Sequence, residues 1–120
     1  MYTKNQIGQL GEGFAINYLL KKNYAILAKN WRFKRAEIDI IAQFEKIIVF
    51  IEVKTLSYTY YGQPEEAIDK KKEAFLIDAA QRYMEEIEHD WEIRFDIISI
   101  ILDIDKKLKK LNHFKDAFFY

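Results

Sequence analysis

Hydrophobic and polar positions along this chain predict two helices and five strands. Apolar residues recur at helical spacing through residues 3–22, and Thr3 with Gln6 fits a capping box that begins this helix. A second helix is predicted to begin at Pro64, because proline is favoured in a first helical turn, and to run to about Ile87. The predicted strands occupy residues 24–28, 37–43, 47–55, 91–102 and 108–111. The order α-β-β-β-α-β-β is typical of an α/β fold, a mixed central sheet flanked by helices.

Small residues mark one flank of the first helix. Gly8, Gly11 and Ala15 leave this flank thin, which predicts a close approach of the helix to the sheet. Glu12 lies on the same side, at the margin of the apolar stripe. The helix therefore brings one carboxylate towards the predicted sheet.

Charged residues interrupt the two most apolar strands of the chain. Asp39 lies between Ile38 and Ile40, and Glu52 and Lys54 follow a run of apolar residues. A charge among buried strands is costly unless it is paired or binds a metal ion. These three charged residues are therefore the first candidates for a functional site.

Alternation within these two strands predicts how they pair. Ile38 and Ile40 share one face of the first strand, and Ile51 and Val53 share one face of the second. A two-residue turn at Glu45-Lys46 places the apolar faces of both strands on the same side of the sheet. A register shifted by one residue would place them on opposite sides.

This register predicts that Asp39 lies directly opposite Glu52, and that Glu37 lies opposite Lys54. Directly opposed Cβ atoms are about 5 Å apart, so Asp39 and Glu52 repel each other unless a cation lies between them. Mg²⁺ (or Mn²⁺) takes one or two carboxylates and completes its shell with water and substrate phosphate. Asp39 and Glu52 are the predicted ligands, with the carbonyl of Val53 beside them.

A metal ion at this position would activate water and neutralise charge that develops on a phosphate. Lys54, on the same face as Glu52, is predicted to orient that water or to stabilise the transition state. Glu12 is predicted to complete the metal shell or to hold a ligand water. The same side chains also fit ordinary cross-strand ion pairs on a solvent-facing sheet, and the pattern leaves both interpretations open.

Composition bounds the class of protein. With 120 residues, half of them hydrophobic, and a single proline, the chain is predicted to form one domain over residues 1–120. The absence of cysteine excludes disulfides and thiolate metal sites. The chain has no signal-peptide pattern at its start and no apolar run of about 18 residues, so we expect a cytoplasmic protein without membrane contact.

Basic residues are clustered although 19 basic and 19 acidic residues balance. Such clusters contact DNA phosphates or form solvated surfaces, and both interpretations stay open here. His89 and His113 are isolated in sequence and are predicted to be surface or hydrogen-bonded histidines. Three nearby tyrosines either stack on bases or pack within their loop. The candidate nucleic-acid-binding residues are Arg32, Lys34, Arg35, Lys70 and Lys72, and the tyrosines are Tyr58, Tyr60 and Tyr61.

Separated motifs along nearly the whole chain resemble the YraN family, small uncharacterised bacterial proteins with a restriction-endonuclease-like fold. The chain departs from that family at Ala36, where glycine is usual, and at Leu56, where arginine is frequent. The motifs that carry the resemblance are Gly8 to Glu12 with Ala15, Asn30 to Arg32, Glu37 to Ala42, Val49 to Lys54, Gly62 to Pro64 with Glu66-Ala67, Arg94 to Asp96, and His113 with Asp116 to Phe118.

More distantly, four residues are similar to the catalytic pattern of archaeal Holliday junction resolvases in the PD-(D/E)xK superfamily. The resemblance implies that Glu12, Asp39 and Glu52 bind a metal ion and that Lys54 is the catalytic lysine. It further implies that the substrate is DNA, with branched DNA the sharper expectation. Cutting two symmetric strands needs two sites, so this expectation includes a homodimer.

Overall fold

The fold is a mixed sheet with one helix against each face. The computed structural model describes residues 2–56 and 70–117, and within them it contains a five-stranded sheet in the order β1-β2-β3-β4-β5. Strands β3 and β4 are parallel, and the other neighbouring strands are antiparallel. The predicted element order and the α/β class are confirmed. The elements are α1 (Lys4–Lys21), β1 (Ala25–Phe33), β2 (Ala36–Phe44), β3 (Ile47–Leu56), α2 (Lys70–Ile87), β4 (Glu92–Leu102) and β5 (Leu108–Phe114).

Two apolar clusters cover the two faces of the sheet. One lies beneath α2 and the other beneath α1, and alternate residues of β3 and β4 contribute to each. These two central strands are therefore buried on both faces, which explains their near-continuous apolar sequence. The α2 cluster includes Ile48, Phe50, Leu76, Ala79 and Ile97, and the α1 cluster includes Ala15, Leu19, Val49, Ile51 and Ile98.

Helix α1 begins with the predicted capping box. The Gln6 N–H donates to Thr3 Oγ1 at 3.1 Å, and the Thr3 N–H donates to Gln6 Oε1 at 2.8 Å. These two bonds satisfy backbone donors that the first turn leaves without partners.

Close approach of α1 to the sheet occurs at one of the two predicted glycines. A Cβ atom on Gly11 would collide with the side chain of Thr55 in β3, so only glycine fits this contact. A Cβ atom on Gly8 would have no neighbour within 4 Å, and the prediction that Gly8 contributes to the contact is wrong. The first turns of α1 diverge from the sheet and leave a groove there.

The edge strands are longer than their sequence patterns predicted. Strand β1 extends to Phe33 rather than residue 28, and β5 extends to Phe114 rather than residue 111. Both strands lie at sheet edges, where charged residues face solvent and obscure the alternation that marks a strand. The predicted start of α2 at Pro64, the three loop tyrosines and the aromatic tail after residue 117 lie outside the described residues.

Among the described residues, no helix is long and apolar enough to cross a membrane. Helix α2 ends at Ile87, as predicted, and its buried face consists of Leu76, Ala79, Ala80 and Tyr83.

The predicted register of β2 and β3 is confirmed for five pairs, from Phe44 opposite Ile47 to Ile40 opposite Ile51. Beyond Ile40, however, the alternation breaks. Ile38 packs with Ile41 in the α2 cluster, whereas Ile40 belongs to the α1 cluster. The prediction that Ile38 and Ile40 share a face is therefore wrong. The neighbouring strand β1 is irregular at the same level, because Asn30 has a φ of 50°.

Candidate active site

Asp39 lies where β2 stops pairing with β3. Its Oδ2 accepts a 2.8 Å hydrogen bond from the Val53 N–H, so a side chain takes the place of a strand partner. The carboxyl group of Asp39 also forms a side-chain hydrogen bond with Glu52. The two carboxyl groups are thus neighbours, as predicted, although they meet one step beyond the last strand pair at Ile40 and Ile51.

Burial makes this pair electrostatically unusual. The pKa of Asp39 is raised from 3.8 to about 8, first by burial and then by the negative charge of Glu52. Glu52 is only 6% exposed. The raised pKa favours the protonated form of Asp39 in the metal-free protein, and a protonated Asp39 can donate a hydrogen bond to Glu52. The alternative interpretation, ordinary cross-strand ion pairs on a solvent-facing sheet, does not describe a glutamate this deeply buried.

Two lysines approach the same oxygen of Glu52. Lys54 Nζ lies 3.7 Å from Glu52 Oε2, and Lys72 Nζ, from α2, forms a short ion pair with that atom. Burial lowers the pKa of Lys72, but the hydrogen bond and charge of Glu52 outweigh burial and raise it overall. The site therefore combines two carboxyl groups with two ammonium groups.

Glu12 lies beside the pair but does not contact it. Its carboxylate accepts hydrogen bonds from Asn30 Nδ2 at 3.2 and 3.3 Å, and the same nitrogen donates to Glu37 Oε1 at 3.1 Å. Burial raises the pKa of Glu12, and the charges of Glu37 and Glu52 add to this rise. Glu37 also pairs with Arg32 at 2.8 Å, so the predicted cross-strand pair of Glu37 with Lys54 is wrong.

A polar groove extends from Glu12 along the first turns of α1. Its volume is about 350 Å³, and it opens where α1 diverges from the edge of the sheet. Arg32, one of the predicted nucleic-acid-binding residues, lies on its wall. The groove is lined by Lys4, Asn5, Gly8, Gln9, Glu12, Asn30, Arg32 and Glu37.

The predicted nucleic-acid-binding residues do not form one surface around the carboxyl pair. Lys72 is in the site and Lys70 is exposed nearby on α2, 3.7 Å from Glu73. Lys34 and Arg35 are exposed in the β1–β2 turn, and Lys34 Nζ lies 3.9 Å from Asp78 on α2. Arg32 faces the groove on the α1 side. The basic residues are therefore spread over three places: the polar groove, the β1–β2 turn and α2.

The donor set fits a metal ion that needs few protein ligands. Among the described residues, no cluster of three or more histidine, cysteine, aspartate or glutamate side chains has metal-binding geometry. Mg²⁺ commonly takes only one or two carboxylates, because water and substrate phosphate complete its shell. Asp39 and Glu52 meet that requirement. Coordination by Glu12 and by the Val53 carbonyl stays a prediction, since what the structure shows of Val53 is its N–H bond to Asp39.

Sequence reasoning missed two polar residues beside the pair. Asn30 joins Glu12 to Glu37, and its motif with Trp31 carries no chemical signal of this role. Ser99, in β4, is the strand neighbour of Lys54. Its Oγ is fully buried and has no hydrogen-bond partner within the described part of the chain. An orphaned hydroxyl next to Lys54 is consistent with a site adapted to a polar ligand.

A second buried polar network, centred on Asp96, was also missed. Arg94 donates two 2.9 Å bonds to Asp96, and His113 Nε2 lies 2.7 Å from Asp96 Oδ2. Tyr18 and Tyr24 bind the outer side of this network, at His113 and Arg94. His113 is thus a hydrogen-bonded histidine, as predicted. The signal for Asp96 was available, because it is a charge inside the apolar run of β4.

Comparison with known proteins identifies the family. A family model described as "Uncharacterised protein family UPF0102" matches residues 11–100 of the chain. That range contains Glu12, Asp39, Glu52, Lys54 and Lys72, so the whole candidate site lies within the matched segment.

Named relatives match over almost their full length. A UPF0102 protein of Flavobacterium psychrophilum is 42% identical over 120 residues, which is 100% of this chain and 99% of the relative. One from Alkaliphilus oremlandii is 44% identical over 116 residues, 94% of this chain and 97% of the relative. One from Caldanaerobacter subterraneus subsp. tengcongensis is 42% identical over 118 residues, 97% of each. The resemblance found in the sequence motifs is confirmed, and the chain belongs to the UPF0102 (YraN) family.

Proposed function

We propose that this protein is a metal-dependent phosphodiesterase that cuts DNA. The observation that carries the proposal is the convergence of Asp39, Glu52 and Lys54. The half-buried carboxyl group of Asp39 lies against the buried carboxyl group of Glu52, and an ammonium group lies 3.7 Å from Glu52. This combination of residues is similar to the PD-(D/E)xK pattern, which supports an endonuclease more than another class of enzyme.

Each residue of the site has a defined part in this chemistry. Asp39 and Glu52 would hold a Mg²⁺ or Mn²⁺ ion, which would supply Lewis-acid activation of water and neutralise charge at the phosphate. Asp39 would give up its proton on binding the ion, because a coordinating carboxyl group must be ionised. Lys54 would stabilise negative charge on the reacting phosphate. Asn30 keeps the carboxylate of Glu12 close by, where it would complete the metal shell or hold a ligand water.

Basic groups on both sides of the pair provide contacts for the DNA backbone. The polar groove with Arg32 leads to the site from one side, and Lys70 and Lys72 lie on the other. Lys34 and Arg35 add separate exposed basic groups at the β1–β2 turn. Lysine and arginine contacts with phosphates give affinity that falls as salt concentration rises.

A more specific proposal for the substrate is branched DNA. It rests on the similarity of the four site residues to the catalytic pattern of junction resolvases. Resolution of a junction requires two symmetric cuts, and one chain carries one such site. The proposal therefore includes a homodimer that presents two copies of the site.

Cleavage of labelled DNA tests the proposal directly. Four-way junction, forked and linear duplex DNA are incubated with Mg²⁺ or Mn²⁺ and the wild-type protein. We expect metal-dependent nicking that is lost in Asp39→Ala and Lys54→Ala, with metal binding lost only in Asp39→Ala. Asp90→Ala and Lys71→Ala change exposed residues of the same types and serve as matched controls.

One observation favours a second candidate function, a nucleic-acid-binding or partner-binding module without catalysis. In the metal-free protein Glu52 is already neutralised by lysines and Asp39 by a proton, so the buried pair is stable without an ion. DNA binding without cutting, unchanged in Asp39→Ala, would support this module and contradict the nuclease.

A further inference from the structure

Lys72 forms an ion pair with the carboxylate of Glu52, which a metal ion would need as a ligand. Its ammonium group pairs with Oε2 of Glu52, the oxygen that Lys54 also approaches. The two lysines differ in their exposure to solvent. Lys54 projects from β3 and its side chain is 21% exposed, whereas the Lys72 side chain, on α2, is 43% exposed.

Resting on the proposed metal-dependent function, we propose that Lys72 is an exchangeable cation at this site. It neutralises Glu52 while no divalent ion is bound, and it leaves Glu52 when such an ion binds.

The need for a resident cation follows from the burial of Glu52. An ionised carboxylate that is 6% exposed is costly without a paired positive charge. Lys54 approaches Glu52 only to 3.7 Å, so the closer contact with Lys72 supplies most of the pairing. In the metal-free protein Lys72 thus neutralises the charge of Glu52, as a metal ion would in the metal-bound protein.

Exchange follows from the shared oxygen. A divalent ion on Glu52 Oε2 and the ammonium group of Lys72 on the same atom would repel each other at short range. The lysine is the group that can yield, because its long side chain is half in solvent and its charge is readily hydrated. Lys72 then lies at the rim of the site, where it can contact a DNA phosphate.

Two consequences distinguish exchange from a fixed structural ion pair. Competition by Lys72 lowers the apparent affinity for metal, because only the fraction of molecules with Glu52 vacated is competent to bind. The ion pair also stabilises the metal-free fold and not the metal-bound fold. By linkage, the gain in metal affinity on removal of Lys72 equals the loss of metal-free stability.

Both consequences are measurable with Lys72→Met, and Lys71→Met is the matched control because Lys71 is the exposed neighbour on α2. Mn²⁺ affinity is measured by calorimetry at constant pH without DNA, and urea unfolding is measured in EDTA and in saturating Mn²⁺. We expect Lys72→Met to bind Mn²⁺ roughly tenfold more tightly than wild type. It should be less stable than wild type in EDTA and close to wild type in Mn²⁺. Lys71→Met should match wild type throughout.

Lys72→Gln is a second variant, to be used if Lys72→Met does not fold. Glutamine retains a hydrogen-bond donor for Glu52, so this variant is expected to disturb the fold less. It should shift Mn²⁺ affinity in the same direction by a smaller factor. Equal Mn²⁺ affinity in wild type and both variants, with stability lost equally in EDTA and Mn²⁺, would overturn the exchange and leave Lys72 a structural partner of Glu52. Absence of Mn²⁺ binding in wild type and variants alike would instead overturn the proposed metal site, and the exchange with it.

Discussion

At the scale of single residues, the two aspartates inside the sheet show how partners decide the state of a buried carboxyl group. Asp39 is half-buried beside Glu52, and desolvation and the like charge of Glu52 both raise its pKa. Burial also raises the pKa of Asp96, but hydrogen bonds from His113 and Arg94 outweigh it and leave the pKa below 3.8. The neutral form of Asp39 is therefore favoured, whereas Asp96 is ionised at neutral pH.

The raised pKa of Asp39 predicts a pH dependence of stability in EDTA. The folded protein keeps this proton up to about pH 8, whereas the unfolded chain loses it near 3.8. Because the folded state binds more protons in this window, its free energy of unfolding falls as pH rises through it. Asp39→Asn cannot ionise, so we expect its stability advantage over wild type to grow by about 1.4 kcal/mol for each pH unit within this window, and we expect it not to bind Mn²⁺.

Urea unfolding of wild type and Asp39→Asn at pH 5 and pH 8 measures this difference. The advantage of Asp39→Asn over wild type should be clearly larger at pH 8 than at pH 5. Asp90→Asn, at an exposed position, should follow wild type. Parallel pH profiles for wild type and Asp39→Asn would show that Asp39 is not protonated in the folded state.

The residues of the site divide into those that the sequence could predict and those that it could not. Proximity of Asp39 and Glu52 followed from the register of one hairpin, which a two-residue turn and apolar alternation determine. The contacts of Asn30 with Glu12 and of Lys72 with Glu52 join residues 18 and 20 positions apart. Such contacts depend on where two elements meet in space, and no periodic pattern records them.

At the scale of elements, the contact of α1 with β3 brings Glu12 to the site. Helix α1 can approach β3 at Gly11 because no side chain separates the two backbones there, and Glu12 is the next residue. The sequence predicted this close approach from its small residues. It could not tell which glycine makes the contact, because that depends on the angle between helix and sheet.

Substitution of two glycines in α1 tests this contact with opposite expected signs. An alanine in a helix is ordinarily about 1 kcal/mol more stable than glycine. Gly13→Ala should follow this rule, since a Cβ atom there has no neighbour within 4 Å. Gly11→Ala should instead lower stability, because the new methyl group collides with Thr55. Urea unfolding measures both variants.

Thr55→Ala provides the control for the Gly11→Ala prediction. If the collision causes the loss, the double variant Gly11→Ala/Thr55→Ala should recover part of the stability that Gly11→Ala loses. Stability of Gly11→Ala at or above that of Gly13→Ala would contradict the close contact.

The strands show the same division between pattern and context. The central strands β3 and β4 were predicted almost to their ends, because burial on both faces produces continuous apolar runs. The break in β2 beside Asp39 was not predicted. It coincides with the irregular backbone of Asn30 in the adjacent strand, and simple alternation assumes regular partners.

At the scale of the whole molecule, the network around Asp96 joins elements that are distant in sequence. Tyr18 comes from α1, Arg94 and Asp96 from β4, and His113 from β5. The Asp116 N–H after β5 also donates to Asp96 at 3.1 Å. One buried anion therefore holds a helix and two strands in their relative positions.

Removal of that anion is expected to destabilise the whole fold. Asp96→Ala leaves Arg94 without its buried partner, and loss of one member of a buried pair costs about 3–5 kcal/mol. The lowered pKa of Asp96 adds a pH signature: its contribution is present above pH 3.8 and is lost as pH falls through the folded pKa. Urea unfolding at pH 7 and acid titration in the presence of EDTA measure the two effects.

The exposed substitution Asp90→Ala is the control for Asp96→Ala. It should lose little stability and keep the acid transition of wild type. If Asp96→Ala unfolds at the same urea concentration and the same acid pH as wild type, the network does not hold the elements together.

The parallel pairing of β3 with β4 also constrains the order in which the protein assembles. Antiparallel hairpins close over a few residues, so β1, β2 and β3 can form early from local contacts. A parallel pair needs a crossover connection, and here the chain passes through α2 before β4 reaches β3. Lys72 and Ser99 therefore reach Glu52 and Lys54 only after the antiparallel hairpins have closed. A partly folded chain that has formed only β1, β2 and β3 would carry the carboxyl pair and Lys54 without the positive charge of Lys72.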